Sequence, residues 1–413
     1  MKFMSLFVLL FFSLNIQAQF EVSRFPKVLK NYIKNPEKSS IIDFSYAGYF
    51  NGTVRGKMDE NAKNKFDVTQ FGAIPNDGIN DVDAIQKAVD SLAKCGGGIL
   101  LFPAGIFNFD NTKQHKPLKI KKNKIQLIGK GEEPEGTVFQ CNNVDGFEKN
   151  AIYIHICSDQ KDTVSEIGIE KIRFVGGLTK TYSHYSPQDP KFNIVLENTC
   201  NVWLHFLIHE NSLGTVSYHN AHQTATYDCQ TIGNGGHFGY QLTGNSSKNV
   251  FYYLRIDHTL HGFSLRDSVH RNVFHCCFLS ESNSIDLGGG KLHHNLFDNV
   301  IGGTLKSCDY HNNNQTPLCG SGNVFWNWKV NMTEPYRGHI KYFIAKNYDI
   351  PGTVLSGVQG LYSQKIYVVD KDNKRILTDT KDEFIEAIFV GTEPYPYTLY
   401  GFQMRTRLGK WLP

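Results

Sequence analysis

The sequence contains no Cys-x-x-Cys pair, and its 9 cysteines are scattered over 413 residues. That leaves neither a structural zinc site nor the disulfide framework of a small secreted domain. After an apolar run from Phe3 to Leu14, no stretch is long enough to span a bilayer. The formal charge is only +4, with 20% charged residues. So small a bias excludes an argument for nucleic acid and is compatible with an anionic glycan. The repeat region shows no 3.6-residue period, which rules out a helical solenoid.

What the chain does have is repetition. Asn201-Val-Trp, Asn249-Val-Phe, Asn272-Val-Phe, Asn295-Leu-Phe and Asn323-Val-Phe recur. Most steps are roughly 23 to 28 residues, one solenoid turn each. The step from Asn201 to Asn249 is about two turns, and a degenerate copy, Ala225-Thr-Tyr, fills it. A second line reads Gly239-Tyr-Gln-Leu, Gly262-Phe-Ser-Leu and Ser284-Ile-Asp-Leu. Its period of two predicts strands with one face buried. Two short strands per turn, stacked over many turns, predict an all-β, single-domain parallel β-helix.

Met1-Lys2, the apolar run and a small residue at Ala18 have the form of a signal peptide over residues 1–18. The mature chain is therefore expected to be secreted, periplasmic or extracellular in a bacterium. Residues 19–65 read as a leader packing on the outside of the solenoid, 66–352 as the coil, and 353–413 as a C-terminal cap. Within the coil, Val82, Ile85, Val89 and Leu92 define one face of a helix from Asp81 to Lys94, capped by Asn80 or Asp81. Gly96-Gly97-Gly98 stops it, and Ile99-Leu-Leu-Phe102 with Pro103-Ala-Gly105 forms a buried strand and turn. Tyr182 to Phe192 reads as a protruding loop, and Cys308 and Cys319 bracket a polar loop that a disulfide would close. Of adjacent Cys276 and Cys277, at most one faces the core. Tyr397 to Lys410 reads as a terminal helix covering the open end, where a bare strand would aggregate.

The stretch Phe66 to Phe107 resembles the opening of the pectate-lyase-like superfamily of right-handed parallel β-helices. There a strand ending in Phe-Gly-Ala leads to an Asp-rich turn, a capping helix, a Gly run and a Phe-Pro-x-Gly strand. The later region is similar to an uncharacterised bacterial and fungal family associated with polysaccharide breakdown. That likeness rests on His261-Gly-Phe-Ser-Leu, Ile285-Asp-Leu, His293-His294-Asn-Leu-Phe-Asp, Phe325-Trp-Asn and Leu399-Tyr. The resemblance implies action on a glycan. Calcium-dependent members use clustered carboxylates, and no such Asp cluster is found, so no cofactor is expected. The polygalacturonase set of motifs is also absent.

Nine of the 16 histidines fall between His219 and His294, and no strand period demands that. The predicted groove uses His261, His237, His293, Arg266, Asp286 and Lys291 for catalysis. Arg255, His258, His294 and His222 would contact substrate. Asp286 shares the register of Gln241 and Ser264 and should point outward with them. His275 is expected to be an internal or wall residue and not a catalyst. His258-x-x-His261 and His219-x-x-His222 have metal-like spacing but lack a third ligand, so no metal is assigned.

Abstracting the C5 proton of a uronate needs a base near neutral pKa, a cation at the carboxylate and an acid for the C4 leaving group. His261 as base, Arg266 or Lys291 at the carboxylate and His237 or His293 as acid fill these roles, with Asp286 orienting one histidine. The expected activity is β-elimination on a uronic-acid-containing polysaccharide or its oligosaccharides, as a depolymerase or a dehydratase. Two alternatives stay open. One is a glycoside hydrolase using Asp286 with Asp257 or Glu281; the other is a non-catalytic glycan-binding β-helix. Neither the glycan nor the oligomeric state is legible.

Overall fold

The computed structural model describes residues 25–53, 56, 61–109, 117–141, 154–158, 162–181, 192–288, 291–307, 321–330, 340–341, 353–360, 367–369, 374–376, 378–381 and 385–409. The segments 1–18 and 182–191, Gly289, Gly290, Cys308 and Cys319 lie outside these residues, as does the side chain of Glu281.

Strands dominate, and successive turns pair in parallel. Each turn of the central coil has three strand lines, not the two expected. One turn runs through Phe238–Thr243, Val250–Tyr252 and Arg255–Ile256; the next runs through His261–Leu265, Val273–His275 and the start of Phe278–Leu287. The third line is only two residues long in places, too short to show a period of two.

The Asn-Val-Phe line explains itself in the middle strand. Val250, Val273, Leu296 and Val324 share one register, and Phe251, Phe274, Phe297 and Phe325 share the next. The phenylalanines point inward and stack at 4.6 to 4.8 Å. The preceding asparagines form a buried ladder. Asn249 Nδ2 donates to Asn272 Oδ1 (2.9 Å), Asn272 Nδ2 to Asn295 Oδ1 (3.0 Å), and Asn295 Nδ2 to Asn323 Oδ1 (3.1 Å). Each oxygen also accepts a backbone N–H from the turn before it. Only a side chain with both donor and acceptor can continue such a ladder.

Asn201-Val-Trp and Ala225-Thr-Tyr sit one residue out of this register. Ala225 pairs with Trp203 on one side and Val250 on the other. A one-residue slip changes the face. Trp203 therefore lies on the flank, where Cβ atoms on Gly56 and Gly168 would stand 2.4 and 2.2 Å from its ring.

The flank holds a second core. Val28, Leu29, Tyr32, Ile41 and Phe44 of the leader pack with Val250, Val273, Leu296 and Val324 of the coil and with Leu399, Tyr400 and Met404 of the terminal helix. That helix, Leu399–Leu408, is seated along the side of the coil. It also grips the leader. Gln403 accepts from Phe44 N (3.0 Å) and donates to Ile42 O (2.8 Å), and Tyr400 Oη donates to Ala47 O (2.8 Å). The early helix spans Val82–Lys94 and buries the expected face. Asn80 Oδ1 accepts from Val82 N (3.1 Å), while Asp81 turns away to Ile74 N and Asn108 N.

Candidate active site

The outer wall carries a polar column built by the first strand line. Ser217, Gln241, Ser264 and Asp286 share one register in successive turns. At the next outward position stand Glu197, His219 and Thr243. Arg266 follows on from that column, its N–H donating to Leu242 O at 3.0 Å. At the start of the strands, Phe192, Gly214, Phe238 and His261 occupy equivalent positions, with Ser284 next.

A bulge sets the site geometry. His261 pairs with Ser284, but Phe263 pairs with Ile285. Asp286 is thus drawn to only two positions beyond Ser284, about 7 Å along the strand. Its carboxylate is nearly buried, at 4% exposure, and accepts from Ser264 Oγ (3.1 Å) and Arg266 Nη2 (3.2 Å). Asp286, expected to orient a histidine, instead holds a guanidinium. Arg266 Nε is buried with no partner, while the Arg266 side chain keeps 42% of its surface exposed.

His261 and His237 come together. Their ring centroids are 5.2 Å apart, and His237 lies flat on Phe238 at 4.0 Å. Ser284 Oγ donates its one proton to Leu260 O (3.1 Å). The same oxygen lies 2.8 Å from His261 Nδ1. With Nδ1 as the donor in that contact, Nε2 is the basic nitrogen of the ring.

The remaining predicted residues lie elsewhere on the turn. His222, Ser247, His270 and His293 form a second column, one per turn, past the far end of the strand. His222 Nδ1 meets Ser247 Oγ at 2.9 Å, His270 stacks on His293 at 4.8 Å, and His293 Nδ1 meets His294 Nδ1 at 2.8 Å. Burial, with help from His270, His294 and Arg271, pushes the His293 imidazole down to about 4. Burial also lowers His222 and His294. Lys291 is exposed on the same turn, two residues before His293. This separates Lys291, His293, His294 and His222 from His261 by the length of a strand. His258 is exposed at the corner before His261, and Arg255 pairs with Asp257 at 3.0 Å on the third strand line. Among the described residues no three His, Cys, Asp or Glu side chains are placed to hold a metal ion.

No family model matches the chain, and no curated protein matches it. Among solved structures it is similar to the tailspike protein of Escherichia coli bacteriophage HK620 in complex with pentasaccharide. The identity is 9% and the TM-score 0.52, over 72% of this chain and 57% of that chain. The N-terminal fragment of bacteriophage Phi29 gene product 12 is 15% identical with a TM-score of 0.50, over 79% of this chain and 58% of that one. The A-module of the Azotobacter vinelandii mannuronan C-5 epimerase AlgE4 is 16% identical with a TM-score of 0.43, over 72% of this chain and 75% of that one. The chain thus spans less than two thirds of either phage chain.

The chain has a right-handed parallel β-helix fold.

In this β-helix two groups escaped the sequence. Ser284 is one; its signal was its register with His261, hidden by the bulge. The other is the buried cluster His275, Cys276 and Asp298. His275, read as an internal or wall residue, is buried and bonds Asp298 beneath the terminal helix at 2.8 Å. Several motif residues of the later resemblance belong to that latch. Asp298 accepts from Thr398 Oγ1, Leu399 N and Tyr400 N, Trp326 Nε1 donates to Pro396 O, and Asn327 Nδ2 donates to Tyr397 O.

Proposed function

We propose that this β-helix is a carbohydrate-active enzyme that performs β-elimination on a uronic-acid-containing glycan, as a lyase or an oligosaccharide dehydratase. The observation that supports this reading is the contact of His261 Nδ1 with Ser284 Oγ beside His237, on the same turns whose outward column holds Arg266 against Asp286. His261 Nε2 removes the C5 proton of the bound uronate. The partly exposed Arg266 guanidinium, held by Asp286, stabilises the carboxylate as charge develops on it. His237, beside His261, protonates the group leaving C4. The similarity to a tailspike protein in complex with pentasaccharide supports a saccharide ligand for this fold. The export signal read at residues 1–18 supports action outside the cytoplasm, and no helix among the described residues is long and apolar enough to cross a membrane.

The test uses purified protein with pectin, alginate, ulvan and glucuronan, as polymers and as short oligomers. Ultraviolet absorbance of the unsaturated uronate is followed together with chain length. Absorbance with shortening identifies a lyase, and absorbance without shortening a dehydratase. New reducing ends without absorbance identify a hydrolase and sink the role given to His261.

A further inference from the structure

Away from the wall, on the flank beneath the terminal helix, three side chains form a Cys–His–Asp relay. Cys276 Sγ lies 3.4 Å from His275 Nε2, and His275 Nδ1 lies 2.8 Å from Asp298 Oδ2. Asn299 Nδ2 donates to the same sulfur at 3.3 Å. His275 and Asp298 are buried, whereas Cys276 is half-buried. Consecutive residues of a strand would face opposite sides. Here Cys276 sits at a left-handed corner (φ +52°), and its sulfur meets the imidazole of the residue before it.

We propose that Cys276 is a reactive thiol and a modification site for small soft electrophiles, activated by His275 and Asp298. Asp298 is already an acceptor for the terminal helix. The imidazole accordingly keeps a proton on Nδ1 toward Asp298 and takes the thiol proton on Nε2. Sulfur, steadied by Nε2–H and the Asn299 amide, is the nucleophile. The groups facing this centre are Tyr252, stacked on His275 at 4.9 Å, and Tyr400, 5.6 Å away, both phenols without charge at neutral pH. With an alkyl iodide the S–C bond forms as the C–I bond breaks, iodide leaves, and the proton stays on His275. Nothing in this step uses the glycan wall.

Cys95 is exposed and provides an ordinary reference thiol in the same molecule. The native full-length protein is treated with iodoacetamide from pH 5.5 to 9, and labelling is quantified on each peptide by mass spectrometry. At pH 6 Cys276 is expected to react at least about tenfold faster than Cys95, because an unassisted thiol is almost wholly protonated there. In guanidinium the two should react alike. The proposal is overturned if Cys276 shows no advantage at pH 6, or stays unlabelled in the folded protein at every pH. In His275→Gln, checked by circular dichroism, the advantage should vanish. Should that variant not fold, the wild-type pH profile alone still decides.

Discussion

Asp298 Oδ2 stands 2.8 Å from His275 Nδ1, and the same carboxylate receives the first N–H groups of the terminal helix from Leu399 and Tyr400. One carboxylate thus neutralises a buried imidazolium and caps the positive end of a helix. The helix in turn holds the leader through Gln403 and Tyr400. Asp298→Ala leaves both the cation and the helix donors without a partner. It should destabilise the protein by about 3–5 kcal/mol, read as a lower midpoint in urea. Limited proteolysis should then cut the leader near Phe44 before the coil unfolds. A variant with unchanged midpoint would remove the latch from the account of stability.

The same pair sets an alkaline limit. Burial opposes charge on His275, but the bonds to Asp298 and Cys276 outweigh it and push the imidazole up to about 10. Unfolded, it titrates near 6.5. Because that proton comes from the Cys276 thiol, the folded pair holds an extra proton only above about pH 8.5, where an unfolded thiol ionises, so this contribution is complete below about pH 8.5 and drains away as pH rises toward 10. Urea midpoints across pH 6 to 10 should fall for the wild type. They should fall less steeply for His275→Gln, which has no proton to lose.

An acid limit arises on the turn column. His293 is pushed down to about 4 from an ordinary 6.5. Here the unfolded chain binds the proton first. Stability is full above about pH 6.5 and is lost as pH falls toward 4. His293→Gln should flatten this part of the profile, measured by thermal unfolding between pH 4 and 7. An unchanged slope would mean that other groups carry it.

The repeat was legible because stacking writes the same chemistry at the same position: Phe251, Phe274 and Phe297 need each other. The outward column of Gln241, Ser264 and Asp286 was legible for the same reason. Partners across turns were not. Whether Asp286 reaches a histidine or Arg266 depends on a bulge at His261, and no sequence period reports a bulge. His293 and His294 looked like neighbours of His261, yet a strand's length separates them. Asp298 and Tyr400 are far apart in the chain, and their motifs carried no sign that they meet.

The asparagine ladder gives a prediction independent of function. Asn272 accepts from Asn249 and donates to Asn295 inside the coil. Asn272→Ala leaves Asn249 N without its acceptor and takes from Asn295 Oδ1, Ser246 O and His270 O the donor that Asn272 Nδ2 supplies, at a cost of about 2–3 kcal/mol. Asn272→Asp should cost more, because it buries a charge and cannot donate. Equilibrium denaturation of both variants orders them, and equal stabilities would contradict the ladder.

The catalytic assignment separates into two kinds of loss. His261→Gln removes the basic nitrogen, and kcat should fall by about a hundredfold to ten-thousandfold with little change in KM. Ser284→Ala leaves the imidazole in place but removes the hydroxyl partner of its Nδ1. It should lower kcat more modestly and shift the acidic limb of the pH–rate profile, which a purely structural residue would not do. Arg266→Lys keeps the charge but not the fork that Asp286 holds, so KM and kcat should both suffer. Steady-state kinetics on a substrate found by the absorbance screen decides these cases. If His261→Gln retains full turnover while Asp286→Asn abolishes it, the proton is not taken by imidazole, and the elimination mechanism at this wall is wrong.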